Sequence, residues 1–328
     1  MKSLYLFAMF FVIKSYGQEK KLQETWILDK VFYENGKDIE INNPLFSTNL
    51  IYKISPKNIK INKNNFNANF IDNTIQTLYR KINYKFLNDY LLLQDENDKK
   101  IYAFLKREDF IKRYPEFEAK IEFKNRDSLL ISNEITQPDF QSDITFDDFL
   151  IKNMYQGSSK DDEDLYFKAE YILTKKNKIK DIIIKDGHNP RYDKEFAEAL
   201  LKGEKYFQNP YGKDLLITKE TNFLKWMSDL KSDDERKLYE IIEKGEGFYN
   251  SNKFEKAISE FEMIKNLKIG ENRFNTIIED ANLKLAISYL ATNQIENACK
   301  SFSSIGDKTK FKVRNYLINF CNKNLEKK

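Results

Sequence analysis

One histidine occurs in the chain, in the segment Asp186-Gly187-His188, with a second acid nearby at Asp193. A catalytic histidine needs a nucleophile, a metal ion or a paired acid that the fold holds beside it. The sequence has no G-x-S-x-G, no H-E-x-x-H and no glycine-rich phosphate loop. The segment suits a corner between a strand and a helix, because Asn189-Pro190 favours a turn and Asp193 favours a helix start. We predict a structural corner, with a positive φ at Gly187 and no catalytic residue.

Two other groups of side chains could in principle bind a metal ion. Residues 158–165, SSKDDEDL, offer carboxylates and hydroxyls. They lack the alternate-residue ligands and the central glycine of an EF-hand loop, so a solvated segment is the favoured interpretation over calcium binding. Cys299 and Cys321 are the two cysteines, and one histidine is too few to complete a zinc site with them. We therefore expect no metal ion, no cofactor and no enzymatic activity.

The first residues indicate export. Lys2 precedes an apolar run over residues 4–13, and Ser15 and Gly17 are spaced like the last positions before a cleavage site. The apolar run is shorter than the roughly 20 residues that span a bilayer. We predict a signal peptide over residues 1–17, cleaved near Gly17, and a periplasmic or secreted protein with no stable membrane span. A buried N-terminal strand or an uncleaved anchor is the alternative.

Composition narrows the class of partner. The 55 Lys and Arg residues are interleaved with 51 Asp and Glu residues, for a formal charge of +4. Nucleic-acid binders usually collect positive charge on one face, so we expect no nucleic-acid partner.

In an oxidising compartment a disulfide can persist. If Cys299 lies on a helix that is followed by an antiparallel one, Cys321 could come within the roughly 4.4–6.8 Å that separates bridged Cα atoms.

Residues 21–112 alternate apolar and polar positions and contain turn signals such as Asn35-Gly36 and Ser55-Pro56-Lys57-Asn58. The pattern predicts seven or eight short strands in an antiparallel β barrel or sandwich. Trp26 in the first strand, the ENGK hairpin and the closing YLLLQDENDKKIYAFLKR resemble lipocalin-like domains of exported bacterial proteins, although Thr25 replaces their glycine. The resemblance implies a barrel that encloses a small apolar ligand or, as we favour, is filled by its own side chains.

Residues 145–228 have a different pattern, which predicts an α+β domain with the order helix, two-stranded hairpin, helix, strand. Over residues 145–224 the segment resembles the C-terminal domain of TonB, a periplasmic module that grips outer-membrane transporters. The matching positions are residues 179–184, Asp193, Glu195, Ala199-Leu200, Tyr206, Pro210, Gly212-Lys213 and Phe223. Asp214-Leu215 and the segment KETNF depart from the family pattern. These departures argue against the transporter-gripping role more than against the fold.

Residues 232–328 are predicted to be helical, and they contain an internal repeat. Two sets of residues share the offsets 0, +3, +12 and +16, namely Gly245, Phe248, Ala257 and Phe261, then Ala286, Tyr289, Ala298 and Phe302. This pattern, over about residues 235–325, resembles tetratricopeptide (TPR) repeats. The spacing of 41 positions (257 to 298) exceeds the usual repeat of about 34 and implies a longer connection between the units. The alternative is an ordinary pair of helical hairpins.

These sequence patterns and resemblances together predict a multidomain, non-enzymatic protein of a Gram-negative cell envelope that mediates protein–protein interaction. Both the TonB C-terminal-like and the TPR-like resemblance imply binding of an envelope protein or peptide segment. The alternative function is a periplasmic small-ligand carrier that uses the lipocalin-like domain. Helical positions that the repeat does not use would line a partner-binding groove, and these are Lys244, Tyr249, Asn282 and Ser288. Alternatively, two units and a cap are too few for a groove, and the helices brace the TonB-C-like domain.

Overall fold

The computed structural model describes residues 20–124, 127–154, 166–223, 230, 232–270 and 274–321. The chain divides into two compact units, Met1–Glu118 and Ala119–Lys328. The predicted signal peptide over residues 1–17 and the acidic segment at 158–165 lie outside the described residues.

The first unit is a nearly closed, barrel-like antiparallel sheet, as the alternating pattern predicted, but it has nine strands where seven or eight were expected. The order across the sheet is β4-β3-β2-β1-β9-β8-β7-β6-β5, so the strands at its two ends, β4 and β5, are consecutive in the chain. The strands are β1 (Thr25–Tyr33), β2 (Ile51–Ile54), β3 (Asn58–Ile61), β4 (Asn64–Asn67), β5 (Asn69–Ile71), β6 (Thr74–Gln76), β7 (Lys81–Leu87), β8 (Tyr90–Asp95) and β9 (Lys100–Lys106).

The turns of the barrel follow local backbone chemistry. Gly36 has a φ of 80°, which suits the Asn-Gly turn after β1. Asp72 and Asn73 both have positive φ, at 46° and 61°, between β5 and β6. Asn and Asp tolerate this region because their short polar side chains can hydrogen-bond locally. The predicted turn between β2 and β3 also forms, with the N–H of Ser55 donating to the carbonyl of Asn58 at 2.9 Å.

A buried carboxylate fastens helix α1 (Arg107–Arg113) and the residue after it to the barrel. Asp29 lies where the register between β1 and β9 shifts, and its side chain is buried. The hydroxyls of Tyr90 and Tyr114 each donate to this carboxylate at 2.7 Å, and Arg113 donates to it at 3.3 Å. Burial and the hydrogen bond to Asp29 raise the pKa of Tyr90 to about 12. Because the charge is paired and hydrogen-bonded, its burial is tolerated.

The second unit begins with a five-stranded mixed sheet in the order β10-β11-β16-β13-β14. All its pairs are antiparallel except β11 with β16, which run parallel. The predicted order of helix, hairpin, helix and strand is present as α2, β13–β14, α3 and β16, whereas the β10–β11 hairpin was not foreseen. The elements are β10 (Ile121–Lys124), β11 (Asp127–Ile131), β12 (Asp139–Phe140), α2 (Phe146–Asn153), β13 (Tyr166–Leu173), β14 (Ile179–Asp186), α3 (Pro190–Gly203), β15 (Phe207–Gln208) and β16 (Asp214–Asn222).

The core of this α+β region lies between the sheet and its helices. Phe167 of β13 and Phe196 of α3 are fully buried, and their ring centroids are 4.8 Å apart. Leu200 is one turn further along α3 and is fully buried in the same cluster. Gly203 lies at the end of this helix, where a Cβ would lie 3.2 Å from the ring of Phe149 in α2, so the small residue lets α2 and α3 approach closely.

Helices make up the rest of the second unit, as predicted. They are α4 (Asp233–Asn250), α5 (Phe254–Phe261), α6 (Asn275–Ala291), α7 (Ile295–Ile305) and α8 (Phe311–Tyr316). A disulfide joins Cys299 in α7 to Cys321, with the two Cα atoms 5.6 Å apart. The carboxylate of Glu134, in the loop after β11, accepts the N–H of Phe311 at the start of α8 at 3.0 Å. None of the helices that the structure describes is long and apolar enough to cross a membrane.

Two neighbouring leucines of α3 allow a matched test of the α+β core. Leu200 is 0% exposed and Leu201 is 53% exposed. We expect Leu200→Ala to lower the free energy of unfolding by about 2–5 kcal/mol, because it leaves a cavity in a packed core. Leu201→Ala, the control, should change it by less than about 0.5 kcal/mol. Urea denaturation of both variants measures the difference, and equal unfolding free energies would contradict this packing.

The disulfide should stabilise the helical region by restricting the unfolded chain. Cys299 and Cys321 are 22 residues apart, for which chain entropy gives a loss of about 3 kcal/mol when both are replaced by serine. Urea denaturation with and without a reducing agent measures this loss of unfolding free energy. Reduction should bring the wild-type protein to the level of the double variant and leave that variant unchanged. Coincident unfolding curves for the oxidised wild type and the variant would show that the bond adds nothing.

Candidate functional site

The segment around the histidine is a corner, as its sequence predicts. Strand β14 ends at Asp186, and helix α3 starts at Pro190. The side chain of Asn189 caps this helix by accepting the N–H of Tyr192 at 2.8 Å. The carboxylate of Asp193 accepts the N–H of His188 at 3.0 Å. The imidazole stacks on the ring of Phe223, with 4.0 Å between the ring centroids. These contacts give the backbone and the ring of His188 structural roles at the corner.

The glycine of this corner is needed for a reason other than the predicted one. Gly187 does not have a positive φ, so that prediction was wrong. A Cβ at this position would overlap the carboxylate of Asp193, whose Cγ would lie only 3.1 Å away. The missing side chain thus leaves room for the carboxylate that holds the N–H of His188. The sequence suggested that glycine is needed here for a positive φ. The structure shows that it is needed because the carboxylate of Asp193 approaches the backbone closely.

Strand β14 presents an open edge of the five-stranded sheet. It stands last in the strand order and pairs only with β13 among the described strands. Three consecutive isoleucines, 182 to 184, occupy its centre, and none of them is fully buried. Ile182 and Ile184 pack against the core, while Ile183 is 37% exposed. Strand β14 therefore combines unpaired backbone groups with apolar side chains at one accessible place.

The two ends of this isoleucine run are polar. Lys180 forms an ion pair with Asp214 at 3.5 Å, and Lys185 pairs with Glu170 at 3.1 Å. Asp181 has a φ of 52°, and the register between β13 and β14 shifts on either side of Glu170. Charges and bulges of this kind limit uncontrolled pairing along an edge strand. They leave the isoleucine run itself as the part of the edge that can accept another strand.

The two helical hairpins, α4–α5 and α6–α7, are geometric repeats of each other. Asn252 and Asn293 hold the same place in the two connections, with φ of 55° and 61°. The next residues, Lys253 and Gln294, have φ and ψ of −91° and 64° and of −93° and 63°. Their N–H groups donate to the carbonyl five residues earlier, at 2.9 and 2.8 Å. The two turns match at the 41-residue spacing that the sequence predicted.

The small residues of the repeat lie where its helices touch. A Cβ on Gly245 would overlap the ring of Phe261, whose Cδ1 would lie 2.7 Å away. Ala257, Ala286 and Ala298 are completely buried. This explains why a small residue recurs on each helix of each hairpin, since a larger one would force the helices apart.

The structure separates the four residues that were predicted to bind a partner. Lys244 is exposed, and Asn282 is half-buried. Tyr249 is 8% exposed and Ser288 is 0% exposed, so a surface role does not fit these two. Tyr249 packs edge-on against Phe254 at 5.9 Å, and burial raises its pKa to about 12. The hydroxyl of Ser288 donates to the carbonyl of Lys284 at 2.7 Å, within the same helix.

The burial of Ser288 follows from the central position of α6. Helix α6 contacts α4, α5 and α7, and each of its residues 285–290 is buried. Repeat offsets locate the residues that pack within a hairpin, but they do not reveal what covers the other faces of a helix. The sequence also missed the polar contacts around α6. Lys284 forms an ion pair with Glu246 of α4, and the hydroxyl of Tyr289 donates to Glu262 at 2.8 Å.

The interior of the barrel bears on the alternative of a ligand carrier. Trp26, Tyr52 and Phe104 are buried within one continuous apolar cluster that also includes inward residues of β3, β6, β7 and β8. Tyr52 and Phe104 pack edge to face, with 5.0 Å between their ring centroids. The indole N–H of Trp26 donates to the carbonyl of Leu22 at 2.9 Å. Large side chains of the protein itself thus fill much of the space that a bound ligand would need.

Within the ranges that the structure describes, no three His, Cys, Asp or Glu side chains are grouped so that they could hold a metal ion. No protein-family model matches the chain, and no curated protein is similar to it in sequence. Within the second unit, the open edge of β14 and the exposed residues of the helical hairpins are candidate surfaces for binding another molecule.

Two glycines of α4 provide a matched test of the hairpin packing. Gly245→Ala should lower the free energy of unfolding by about 1–3 kcal/mol, because the new Cβ must displace the ring of Phe261. Gly247 lies two residues further on, with nothing within 4 Å of a Cβ. Gly247→Ala should raise stability by about 0.5–1 kcal/mol, because alanine favours the helix. Thermal and urea denaturation measure both, and destabilisation of equal size in the two variants would refute the close approach.

Proposed function

We propose that the protein is an exported, non-enzymatic protein of a Gram-negative cell envelope that binds extended segments of other envelope proteins. The observation that carries this proposal is the open edge of β14 with its three isoleucines. The predicted signal peptide supports a periplasmic or secreted location. The order of elements around β14 supports the TonB C-terminal-like assignment of residues 145–228, and the matched hairpins support the TPR-like assignment of residues 232–328.

An extended segment would bind by adding a strand next to β14. Backbone hydrogen bonds would provide much of the affinity, and alternate side chains would provide specificity. On one face of the sheet the added strand would cover Ile183, and on the other it would extend the partly buried surface of Ile182 and Ile184. Lys180 and Lys185, at the two ends of the run, would restrict the register of the added strand. The partner segment should therefore be extended and apolar at its centre.

The helical hairpins would add a second contact for the same partner. On the first helices of the two hairpins, Lys244 is exposed and Asn282 is half-buried. Tyr249 and Ser288 instead stabilise the packing. The contact offered by the helices is therefore smaller and more polar than a deep groove, and we assign the main binding energy to β14. The brace described above is compatible with this arrangement, because the helices and the sheet belong to one compact unit.

A small-ligand carrier remains the second candidate function. It would need space inside the barrel, where Trp26, Tyr52 and Phe104 already pack together. Titration with fatty acids and sterols, followed by intrinsic fluorescence and by a shift of the unfolding temperature, separates the two candidates. Saturable binding of one such ligand to the isolated protein would favour the carrier.

Site-specific photo-crosslinking tests the proposed site. A photoreactive residue at position 183 should form adducts with a small set of envelope proteins, whereas the same residue at position 201 should form none. The two sites belong to the same unit, and the native side chain at 201 is the more exposed of the two, so position 201 controls for accessibility.

A substitution pair completes the experiment. Ile183→Lys should abolish the adducts captured through a second crosslinker at position 244, since it puts a charge on the open edge. Leu201→Lys should leave them unchanged, and circular dichroism should show that both variants are folded. Equal labelling from positions 183 and 201 would reject β14 as the binding site.

A further inference from the structure

The turn between β6 and β7 exposes two large apolar residues at its tip. Leu78 is 84% exposed and Tyr79 is 81% exposed, and they are the two most exposed large hydrophobic residues in the described part of the chain. They occupy the centre of a tight connection whose ends, Thr77 and Arg80, are hydrogen-bonded to each other through the backbone at 2.9 Å. Both side chains therefore project from the end of the barrel into solvent.

The other tight turns of the same barrel have a different composition. They contain Asn35-Gly36, Asn62-Lys63, Asp72-Asn73 and Asn88-Asp89, and residues of this type supply the backbone angles and local hydrogen bonds that turns need. Leu and Tyr supply neither, and neither has a positive φ here. At this turn, therefore, the local rule is broken without any compensating burial. Departures of this kind are expected at functional surfaces.

The tip is held firmly even though it is exposed. The hydroxyl oxygen of Thr77 accepts the N–H of Arg80 at 3.0 Å. The guanidinium of Arg80 makes a two-point contact with Asp95, in which Nε donates to Oδ1 at 3.0 Å. Lys81 pairs with Glu96 at 2.6 Å. These contacts order the backbone that carries Leu78 and Tyr79, so the turn loses less conformational entropy on binding than a mobile loop would.

A cleft lies beside the tip and shares residues with it. It has a volume of about 440 Å³ and is lined by residues 76–81 and 95–97. The patch thus contains a projecting apolar pair and a recess next to each other. In a two-fold symmetric contact the same patch faces itself, so the projection of one copy can enter the recess of the other.

The charges around the tip suit contact with an identical surface. Arg80 and Lys81 contribute two positive charges, and Asp95 and Glu96 contribute two negative charges directly beside them. A patch of one sign would repel its own copy, whereas a patch with balanced, adjacent charges can place each sign opposite the other. An anionic membrane, by contrast, attracts surfaces with an excess of Lys and Arg.

We propose that the tip formed by Leu78 and Tyr79, together with the adjacent cleft, is a homotypic interface through which two copies of this chain pair about a two-fold axis. The proposal goes beyond the binding of envelope segments, because it concerns the first unit and a second copy of the same protein. The patch is small compared with the roughly 1,600 Å² of a standard interface. We therefore expect a weak dimer that forms as the concentration rises, on the order of 10 µM to 1 mM.

Sedimentation velocity across this concentration range tests the proposal. The weight-average mass of the wild-type protein should rise toward twice that of the monomer. The double variant Leu78→Ser with Tyr79→Ser should raise the dissociation constant at least about tenfold, because it removes the apolar centre of the interface. Ile71→Ser with Leu87→Ser is the matched control, since these two half-exposed residues lie at the opposite ends of β5 and β7 from the tip and should leave dimerisation unchanged.

Cysteine crosslinking locates the contact. Both native cysteines are in the disulfide, so Tyr79→Cys introduces a single free thiol. Mixed with an Asn97→Cys chain, it should give a 79–97 disulfide between copies under mild oxidation, whereas a Leu87→Cys chain should give little. A monomer at every concentration, or a dimer unaffected by the tip variant, would overturn the proposal. Tip-dependent binding to phosphatidylcholine vesicles by a protein that stays monomeric would also overturn it, and would identify the tip as a membrane contact.

Discussion

Each β-strand has two edges of backbone N–H and C=O groups that need partners, and the way these edges are used organises the β structure of both units. In the first unit the sheet curls until its end strands, β4 and β5, are joined by the single residue Ala68. In the second unit the sheet stays open. Strand β16 uses both edges, because β11 lies on one side and β13 on the other, whereas β14 keeps its outer edge. The β10–β11 hairpin covers the second edge of β16, so β10 and β14 are the two end strands of this sheet.

In the helical region the main constraint is how closely neighbouring helices can approach each other. Gly245 lies where the ring of Phe261 from the next helix comes close to the backbone, and Ala298 is completely buried. The two hairpins also have similar φ at the asparagine of their connections. Helix α6, the first helix of the second hairpin, packs against both helices of the first hairpin and against α7. That packing stabilises the unit, and it also reduces the surface that the first helices present to a partner.

Local patterns in the sequence predicted the strands, turns and helical hairpins, because these depend mainly on residues that are close together in the chain. Period-two alternation gave the strands of the barrel, the Asn35-Gly36 turn formed as expected, and the repeat offsets located both hairpins. Contacts between distant segments were not predictable in this way. The parallel pairing of β11 with β16 joins residues about 85 positions apart, and the burial of Tyr249 and Ser288 depends on neighbouring helices. Gly187 shows a subtler limit, because a glycine that is needed for close approach looks the same in sequence as one that is needed for its φ.

The two surfaces proposed for binding share a physical property. Ile183 pairs with Glu170 within the sheet, and Leu78-Tyr79 lie between the hydrogen-bonded residues Thr77 and Arg80, yet all three apolar side chains are exposed. Exposed apolar groups on an ordered edge or tip increase the risk of unwanted association, and proteins usually remove them by placing charges there. Around both surfaces the chain does place charges, but on the flanks, at Lys180 and Lys185 and at Arg80 and Lys81. This arrangement limits unspecific contact and keeps an apolar centre accessible to a partner.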